Sequence, residues 1–246
     1  MLAYERIMVA LSKVPARYRN EFIFHAKSVW GDPALREGWE KAERFALLTE
    51  MMAIPRASGI ALAYGLFYRD GEIDPSIDLG NMTAVQYQHT QAFGACMACA
   101  DQFITSFAAP NEVATVVAED IPEMRRSLQD AALRLRAGAM SIQNAVVTQQ
   151  IAGEISKNQH TVNLRIRKVV DEVHFTSKVS APFLWVADAV AFGFRRYFSN
   201  QTFGLDFAKA IIGPDTGLWQ RNRDCACGYL CQEKPPGPGA NPFSGA

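Results

Sequence analysis

Residues 169–198 read VVDEVHFTSKVSAPFLWVADAVAFGFRRYF, and this stretch decides the fold class. Its first part, up to Phe175, is predicted to form a strand. Ser180 then stands where a helix N-cap is expected, and Pro182 suits the first turn of a helix. The apolar residues that follow predict a helix as far as Phe198. The stretch therefore predicts a strand that leads directly into a buried helix.

The rest of the chain repeats this alternation. Further strands are predicted at Glu21–His25, Ser58–Tyr68, Val113–Glu119 and within Val162–Phe175. Further helices are predicted at Met1–Val14, Pro33–Met52, Met82–Phe107, Pro122–Ile151 (with a break at Gly138 as the alternative) and Phe203–Ile212. Strands that alternate with helices predict an α/β fold with helices on the faces of the sheet. We expect one domain over residues 1–213 and a Cys-containing, Pro/Gly-rich, partly disordered tail over residues 214–246.

Composition limits the classes of function. The 246 residues include 25 Lys+Arg and 25 Asp+Glu, so the net charge is zero and any attraction to phosphate requires a local patch. No window approaches the ~20 apolar residues of a membrane-spanning helix, and the charged N-terminus is unlike a secretory signal. We therefore expect a cytoplasmic protein with reduced cysteines and no membrane partner.

Three acids are candidate site residues. Glu119 and Asp120 directly follow a predicted strand, where reactive groups of α/β sheets gather, although a solvated turn or a helix cap explains them equally well. Asp188 lies in the apolar sequence FLWVADAVAFGF, so its carboxylate should be buried. A buried carboxylate costs several kcal/mol unless it is paired. Asp188 is therefore either the partner of an internal Arg or Lys or a metal ligand.

Several polar residues near predicted strand ends are candidate substrate contacts. They are His25, Lys27, His174, Ser177 and Lys178. A single histidine at a strand end is more often a packing or hydrogen-bonding residue than a base. Ser177 and Lys178 have no base at nucleophile spacing, so a covalent mechanism has little support.

Other chemistry-bearing residues have simpler explanations. His89 and Asp101 lie twelve residues apart on one predicted helix, more than three turns, so they cannot share a metal ion without another element. Cys96 and Cys99 fall within the same helix among alanines and are expected to be buried thiols. Cys225, Cys227 and Cys231 match no common zinc spacing, so we predict no structural zinc site there.

The quoted segment resembles the carboxyl-terminal signature of the domain-of-unknown-function family 3800, in which a helix carries Leu-Gln-x-Ala-Asp. Trp185 stands at the Gln position. The sequences VATVVAEDIP and FIFHAK resemble the middle strand and the early His-containing segment of that family. The resemblance covers roughly Glu21 to Phe198 and implies a ribonuclease H-like mixed sheet. It also implies that Glu119 or Asp120, together with Asp188, are catalytic carboxylates that hold Mg²⁺ or Mn²⁺.

The chain departs from the family at its start. The family opens with a strand that carries Asp-Glu-Ser-Gly, and nothing in Met1–Arg19 matches it. We therefore expect a ribonuclease H-like sheet without its amino-terminal strands, because the chain is truncated, its start is misplaced, or it has lost the first acid.

Two functions follow as hypotheses. The first is a divalent-metal-dependent, nuclease-like enzyme that cleaves nucleic-acid phosphodiesters. Basic residues that could meet the nucleic-acid backbone, or that are solvated or ion-paired instead, are Arg165, Arg167, Lys168, Arg195 and Arg196. The alternative is a catalytically inactive remnant that acts as an interaction module in a defence or mobile-element system.

Overall fold

The computed structural model describes residues 2–67, 73, 79–152, 154–214 and 225–231. The chain forms two compact units. The described residues of Met1–Ile60 and Thr176–Gln220 make up one of them, here called the helical unit. Those of Ala61–Phe175 and Arg221–Ala246 make up the other, the sheet unit. Helices flank two small sheets, which confirms the predicted mixed α/β class.

The secondary-structure elements are named in chain order. The helices are α1 (Ala3–Leu11), α2 (Ala16–Arg19), α3 (Ala26–Gly31), α4 (Lys41–Ala57), α5 (Ala84–Phe107), α6 (Pro122–Ala137), α7 (Phe183–Phe198) and α8 (Gly204–Ile212). A 3-10 turn covers Pro33–Leu35. The strands are β1 (Leu62–Phe67), β2 (Ala114–Glu119), β3 (Met140–Ile151), β4 (Glu154–Leu164), β5 (Val169–Thr176) and β6 (Cys225–Cys231). Among the described helices, none combines the length and apolar character that crossing a bilayer requires.

Helix α4 is the centre of the helical unit and packs against α1, α3, α7 and α8. Its apolar residues recur on one stripe, and Leu47, Leu48, Met51 and Met52 have no exposed surface. Gly193 of α7 lies against this core: a Cβ atom there would be 2.9 Å from Ile211 Cδ1 and 3.0 Å from Met52 Sδ. Glycine therefore allows the close packing of α7 that fixes the position of Asp188, which is five residues earlier on the same helix.

The sheet unit contains a four-stranded sheet in the order β1-β6-β3-β4 and a two-stranded sheet of β2 and β5. Strand β6 pairs antiparallel with β1 and parallel with β3. Helix α5 packs on β1 and β6. A Cβ atom at Gly65 of β1 would lie 2.1 Å from the carbonyl oxygen of Ala92, so the helix lies directly on the backbone of the strand. This contact requires glycine.

Three predicted elements differ from the structure. The helix predicted at Pro33–Met52 is divided into a 3-10 turn at Pro33–Leu35 and helix α4, which starts only at Lys41. Glu21–His25 is not a strand: residues 22–25 carry no strand pairing, and α3 starts at Ala26. Burial does alternate there, with Phe24 and Ala26 buried and Ile23 exposed, so the segment has the pattern of a strand without a neighbour to pair with. The predicted helix beyond Arg136 ends at Gly138, whose φ of 70° closes α6, and the following residues form β3.

The carboxyl-terminal segment 214–246, expected to be a tail, contributes strand β6 to the four-stranded sheet. Its residues Cys227, Tyr229 and Leu230 are buried. The remainder of the segment, apart from Pro214, lies outside the described residues. So do the side chains of Cys225 and Cys231, and the prediction about zinc at these cysteines stays a prediction.

Candidate active site

Three of the polar residues selected from the sequence meet in the helical unit. Asp188 Oδ2 lies 3.3 Å from Lys178 Nζ and 3.3 Å from His25 Nδ1. The same oxygen accepts a hydrogen bond of 2.9 Å from the backbone N–H of Ala26. We call His25, Lys178 and Asp188 the His25 cluster. More than 150 residues separate His25 from Lys178 in the sequence, so only the fold brings them together.

Local structure explains how each member is placed. His25 is extended (φ −137°) and immediately precedes α3, so its side chain and the first N–H of the helix both face Asp188. Asp188 lies on the second turn of α7, and Lys178 lies in the turn that follows β5. The Asp188 carboxylate on α7 therefore accepts a hydrogen bond from the first backbone N–H of α3.

Burial differs among the three side chains, and the difference decides their roles. The Lys178 side chain is 5% exposed and that of Asp188 is 25% exposed, whereas the His25 side chain is 50% exposed. A buried ammonium is stable only beside an opposite charge, which Asp188 supplies. The imidazole is the member that solvent or a ligand can reach.

Lys178 Nζ is nearly equidistant from the two ring nitrogens of His25, at 3.3 Å from Nδ1 and 3.2 Å from Nε2. The lone-pair directions of these nitrogens diverge in the plane of the ring, so one ammonium cannot lie along both. When Nδ1 carries the proton, Nε2 is an acceptor, and the Lys178 ammonium lies within hydrogen-bond distance of it.

The other selected residues are exposed. Lys27 is exposed on α3, and Ser177 is exposed with its Oγ 3.2 Å from Ser180 Oγ. His174 is exposed on β5 and belongs to the sheet unit. The fold thus groups two of the five candidate substrate contacts, His25 and Lys178, around Asp188.

Glu119 and Asp120 also belong to the sheet unit, whereas Asp188 belongs to the helical unit. Both oxygens of Asp120 accept hydrogen bonds from Arg125. These hydrogen bonds, together with the positive charge of the guanidinium, hold the pKa of the Asp120 carboxyl below its usual value. This observation matches the alternative prediction for Asp120, a turn residue at the start of a helix.

The residues do not fit the divalent metal that the family resemblance implies. The Asp188 carboxylate already faces an ammonium, and the Asp120 carboxylate already faces a guanidinium. In the part of the chain that the structure describes, no three His, Cys, Asp or Glu side chains are arranged to hold a metal ion. The metal site at Glu119, Asp120 and Asp188 stays a prediction, and we build no chemistry on it.

Asp101 was considered from the sequence only as a metal ligand, and its structural role was missed. Asp101 on α5 is 5% exposed, and its Oδ1 accepts backbone hydrogen bonds from Arg167, Lys168 and Val169. The ammonium of Lys168 in turn donates to backbone carbonyls, including that of Glu112 at 3.1 Å. Lys168 is therefore engaged within the sheet unit. The apolar run AFGACMACA directly before Asp101 is the signal that could have identified it, as apolar neighbours did for Asp188.

Trp185 lies one turn before Asp188 on α7 and therefore on the same side of the helix. Its indole nitrogen is buried, and among the described residues it has no hydrogen-bond partner. The indole N–H is thus a donor near the cluster, in a position where the resembled family has a glutamine, which also offers an N–H.

Comparison of the chain with protein-family models, with curated proteins and with solved structures finds no match in any of the three.

Proposed function

We propose that the protein is a nuclease-like hydrolase of phosphodiesters and that the His25 cluster is its working site. The observation that carries the proposal is the contact of a half-exposed imidazole with both a buried ammonium and a carboxylate. This set supplies a proton acceptor, a positive charge and a group that orients the acceptor. The resemblance of the sequence to a ribonuclease H-like family supports phosphodiesters as the substrate class.

His25 is the proposed general base. Asp188 Oδ2 lies 3.3 Å from His25 Nδ1 and, in this proposal, favours the tautomer that carries its proton on Nδ1 and leaves Nε2 unprotonated. Nε2 takes a proton from a water molecule as the water oxygen attacks phosphorus. The P–O bond to the leaving oxygen then breaks, and that oxygen takes a proton from solvent.

Lys178 is the proposed phosphate-binding group. Its ammonium is fixed by Asp188 and lies beside the imidazole, where a non-bridging phosphate oxygen would come close to it. A positive charge held in a water-poor setting stabilises the negative charge that builds up on these oxygens in the transition state. The neutral overall charge of the chain makes such a local cation necessary for binding a phosphodiester.

The test is cleavage of end-labelled DNA and RNA oligonucleotides by the wild-type chain, in EDTA and in Mn²⁺. We expect cleavage of at least one substrate in EDTA, and a loss of about 10²-fold or more in His25→Gln. His174→Gln is the matched control because it removes an exposed histidine from the sheet unit, and it should cleave like the wild type. Cleavage that needs Mn²⁺ and survives His25→Gln would overturn the acid–base proposal and favour the metal-dependent hypothesis.

The second candidate is the non-catalytic interaction module. The burial of Lys178 favours this candidate. A buried ion pair can also serve only to connect elements of the fold. If the wild type cleaves neither oligonucleotide while the cluster variants lose stability, this candidate replaces the first.

A further inference from the structure

Two basic side chains of the helical unit meet at the ring of Trp30 on α3. The Cζ atom of Arg196 lies 4.6 Å from the centroid of this ring, and the Nζ atom of Lys41 lies 5.6 Å from it. Arg196 belongs to the last turn of α7, and Lys41 is the first residue of α4. We call Trp30, Lys41 and Arg196 the Trp30 patch. Cations from two different helices thus approach one aromatic ring, which attracts both.

Further aromatic rings complete this arrangement. The Trp30 ring lies 5.6 Å from Phe203 and 6.4 Å from Phe192, measured between centroids. Lys41 Nζ is also 5.1 Å from the Phe203 centroid, and Arg196 Cζ is 5.5 Å from the Phe192 centroid. Phe203 has a left-handed backbone (φ 64°), which a bulky residue rarely adopts, so the fold accepts strain where it holds this ring. Each cation therefore lies near two rings.

The rings hold the two cations without neutralising them. Among the residues that the structure describes, neither Lys41 nor Arg196 forms an ion pair with a carboxylate. Arg196 donates from Nε and Nη2 to the carbonyl oxygen of Thr202, at 3.1 and 2.8 Å, and this acceptor carries no net charge. Burial and the adjacent positive charge of Arg195 lower the pKa of Arg196, whereas a carboxylate partner would raise it. The patch therefore keeps its positive charge.

The composition of the patch indicates the kind of ligand. Lys41 is exposed, and Trp30 and Arg196 are half-buried, so a ligand can reach the group from solvent. Because the chain as a whole has no net charge, binding of a polyanion requires local cations of this kind. Aromatic rings beside cations are typical of surfaces that bind single-stranded nucleic acid, where the cations meet phosphates and the rings meet unpaired bases. A duplex keeps its bases paired and cannot use the rings.

The Trp30 patch and the His25 cluster lie along the same pair of helices. The backbone N–H of Ala26 on α3 donates to Asp188 on α7. Four residues later on each helix, the ring of Trp30 lies beside that of Phe192. The two helices therefore run side by side in the same direction. Arg196 follows Asp188 by eight residues, which is about 12 Å along the helix axis.

We propose that the Trp30 patch binds the phosphate backbone of a single-stranded nucleic acid at a distance from the bond that the His25 cluster cleaves. The inference rests on the proposed function, because it takes the substrate to be a phosphodiester. Lys41 and Arg196 contact phosphate oxygens of the strand, and the Trp30 ring holds both cations in place. The substrate is then a strand with several phosphates and not a small diester.

The test measures binding of the full chain to a fluorescein-labelled phosphorothioate oligothymidylate of about 16 nucleotides, by fluorescence anisotropy over a series of salt concentrations. Phosphorothioate linkages keep the negative charges and resist hydrolysis, so binding is measured apart from cleavage. We expect Lys41→Gln to weaken binding about fivefold and to make the plot of log affinity against log salt shallower by about 0.7, the value for one phosphate contact of a single strand. Arg196→Gln should act in the same way.

Lys209→Gln is the matched control. It removes one positive charge from an exposed residue of α8 in the same unit, two residues after the buried Phe207 and thus on the opposite side of that helix. This variant should bind like the wild type. Lys41 is itself exposed, so its variant should fold normally, and the result does not depend on how well the Arg196 variant folds.

Three outcomes would overturn the proposal: no binding, equal weakening by Lys41→Gln and Lys209→Gln, or equally tight binding of a duplex of the same length. If the chain binds as expected but cleaves no oligonucleotide, the hydrolase proposal fails and the Trp30 patch stands. If the chain cleaves but Lys41→Gln changes neither binding nor KM, the patch fails and the hydrolase proposal stands.

Discussion

Two carboxylates, one in each unit, are held within the protein in different ways. Asp101 in the sheet unit is 5% exposed, and one of its oxygens accepts three backbone hydrogen bonds of 2.5 to 2.9 Å. The Asp188 side chain in the helical unit is 25% exposed and is held by an ammonium, an imidazole and one backbone N–H. Both satisfy the requirement that a buried charge be paired or hydrogen-bonded.

The difference separates a structural acid from a candidate working acid. Backbone N–H donors do not titrate in the ordinary pH range, so the contacts of Asp101 serve to fix the turn between β4 and β5 to helix α5. The partners of Asp188 include a half-exposed imidazole that can gain or lose a proton and that a ligand can reach. We infer that the kind of partner identifies a functional acid better than burial does. An acid whose partner can be protonated and can be reached by a ligand is the better candidate.

The largest effect on stability should come from Asp101→Ala. The substitution removes the acceptor of the three backbone donors, and we expect the free energy of unfolding to fall by about 3–5 kcal/mol. Asp101→Asn is the control: its side-chain oxygen can accept the same bonds without the charge, so the loss should be about 1–2 kcal/mol. Urea denaturation of both variants measures the difference. Equal losses would show that charge, and not the acceptor, matters at this position.

Asp188→Asn should have the next largest effect. It leaves the buried ammonium of Lys178 without its counter-charge, which costs 3–5 kcal/mol at a fully buried site, and partial exposure of Asp188 reduces our expectation to about 2–3 kcal/mol. Lys178→Met should be comparably destabilising. The double variant should lose less than the sum of the two single variants, because it leaves no stranded charge. Additive losses in urea denaturation would contradict the ion pair.

His25→Gln should change stability little. The side chain is half exposed, and neither Lys178 nor Asp188 depends on it for charge balance. We expect a change below about 1 kcal/mol in the free energy of unfolding. If His25→Gln lowers the free energy of unfolding as much as Asp188→Asn does, His25 is a structural residue, and Asp188 no longer differs from Asp101 in the kind of partner it has.

The smallest effect on stability is expected from substitution of Asp120, the partner of Arg125. Their hydrogen-bonded pair holds the folded pKa of Asp120 below the unfolded value, so its contribution to stability is present above the unfolded pKa and is lost as the pH falls through the folded pKa. Because the pair is on the surface, Asp120→Asn should lower the thermal midpoint only slightly at neutral pH. The difference from the wild type should vanish in acid, and a difference that grows in acid would contradict the assignment.

Most elements with strong periodicity were predicted correctly from the sequence. Helix α5, strand β2 and helix α7 lie close to their predicted ranges. The predicted cap of α7 is wrong, because the helix begins at Phe183 with Pro182, and not Ser180, at the N-cap. Asp188 was singled out for the right physical reason, since an acid among apolar residues needs a partner. The sequence left open whether that partner was a basic side chain or a metal, and the structure provides Lys178.

The predictions from sequence fail for elements whose structure depends on contacts between residues far apart in the chain. Residues 21–25 alternate in burial like a strand, but strand pairing depends on a neighbour that local sequence does not reveal. Strand β6 is inserted between β1 and β3 from the end of the chain, and no local pattern shows which strands it will pair with. The meeting of His25 with Lys178 has the same origin, since it depends on the packing of α3 against α7.

The central claim is that Asp188 acts on the chemistry through His25, and a double-mutant cycle on the rate of oligonucleotide cleavage in EDTA tests it most directly. Asp188→Asn and His25→Gln should each reduce the rate, and Asp188→Asn should cause a smaller loss in the His25→Gln background than in the wild type, because only its effect on Lys178 then remains. Rates are compared at a temperature well below every thermal midpoint. If the two losses multiply instead, Asp188 and His25 act independently, and the account is contradicted.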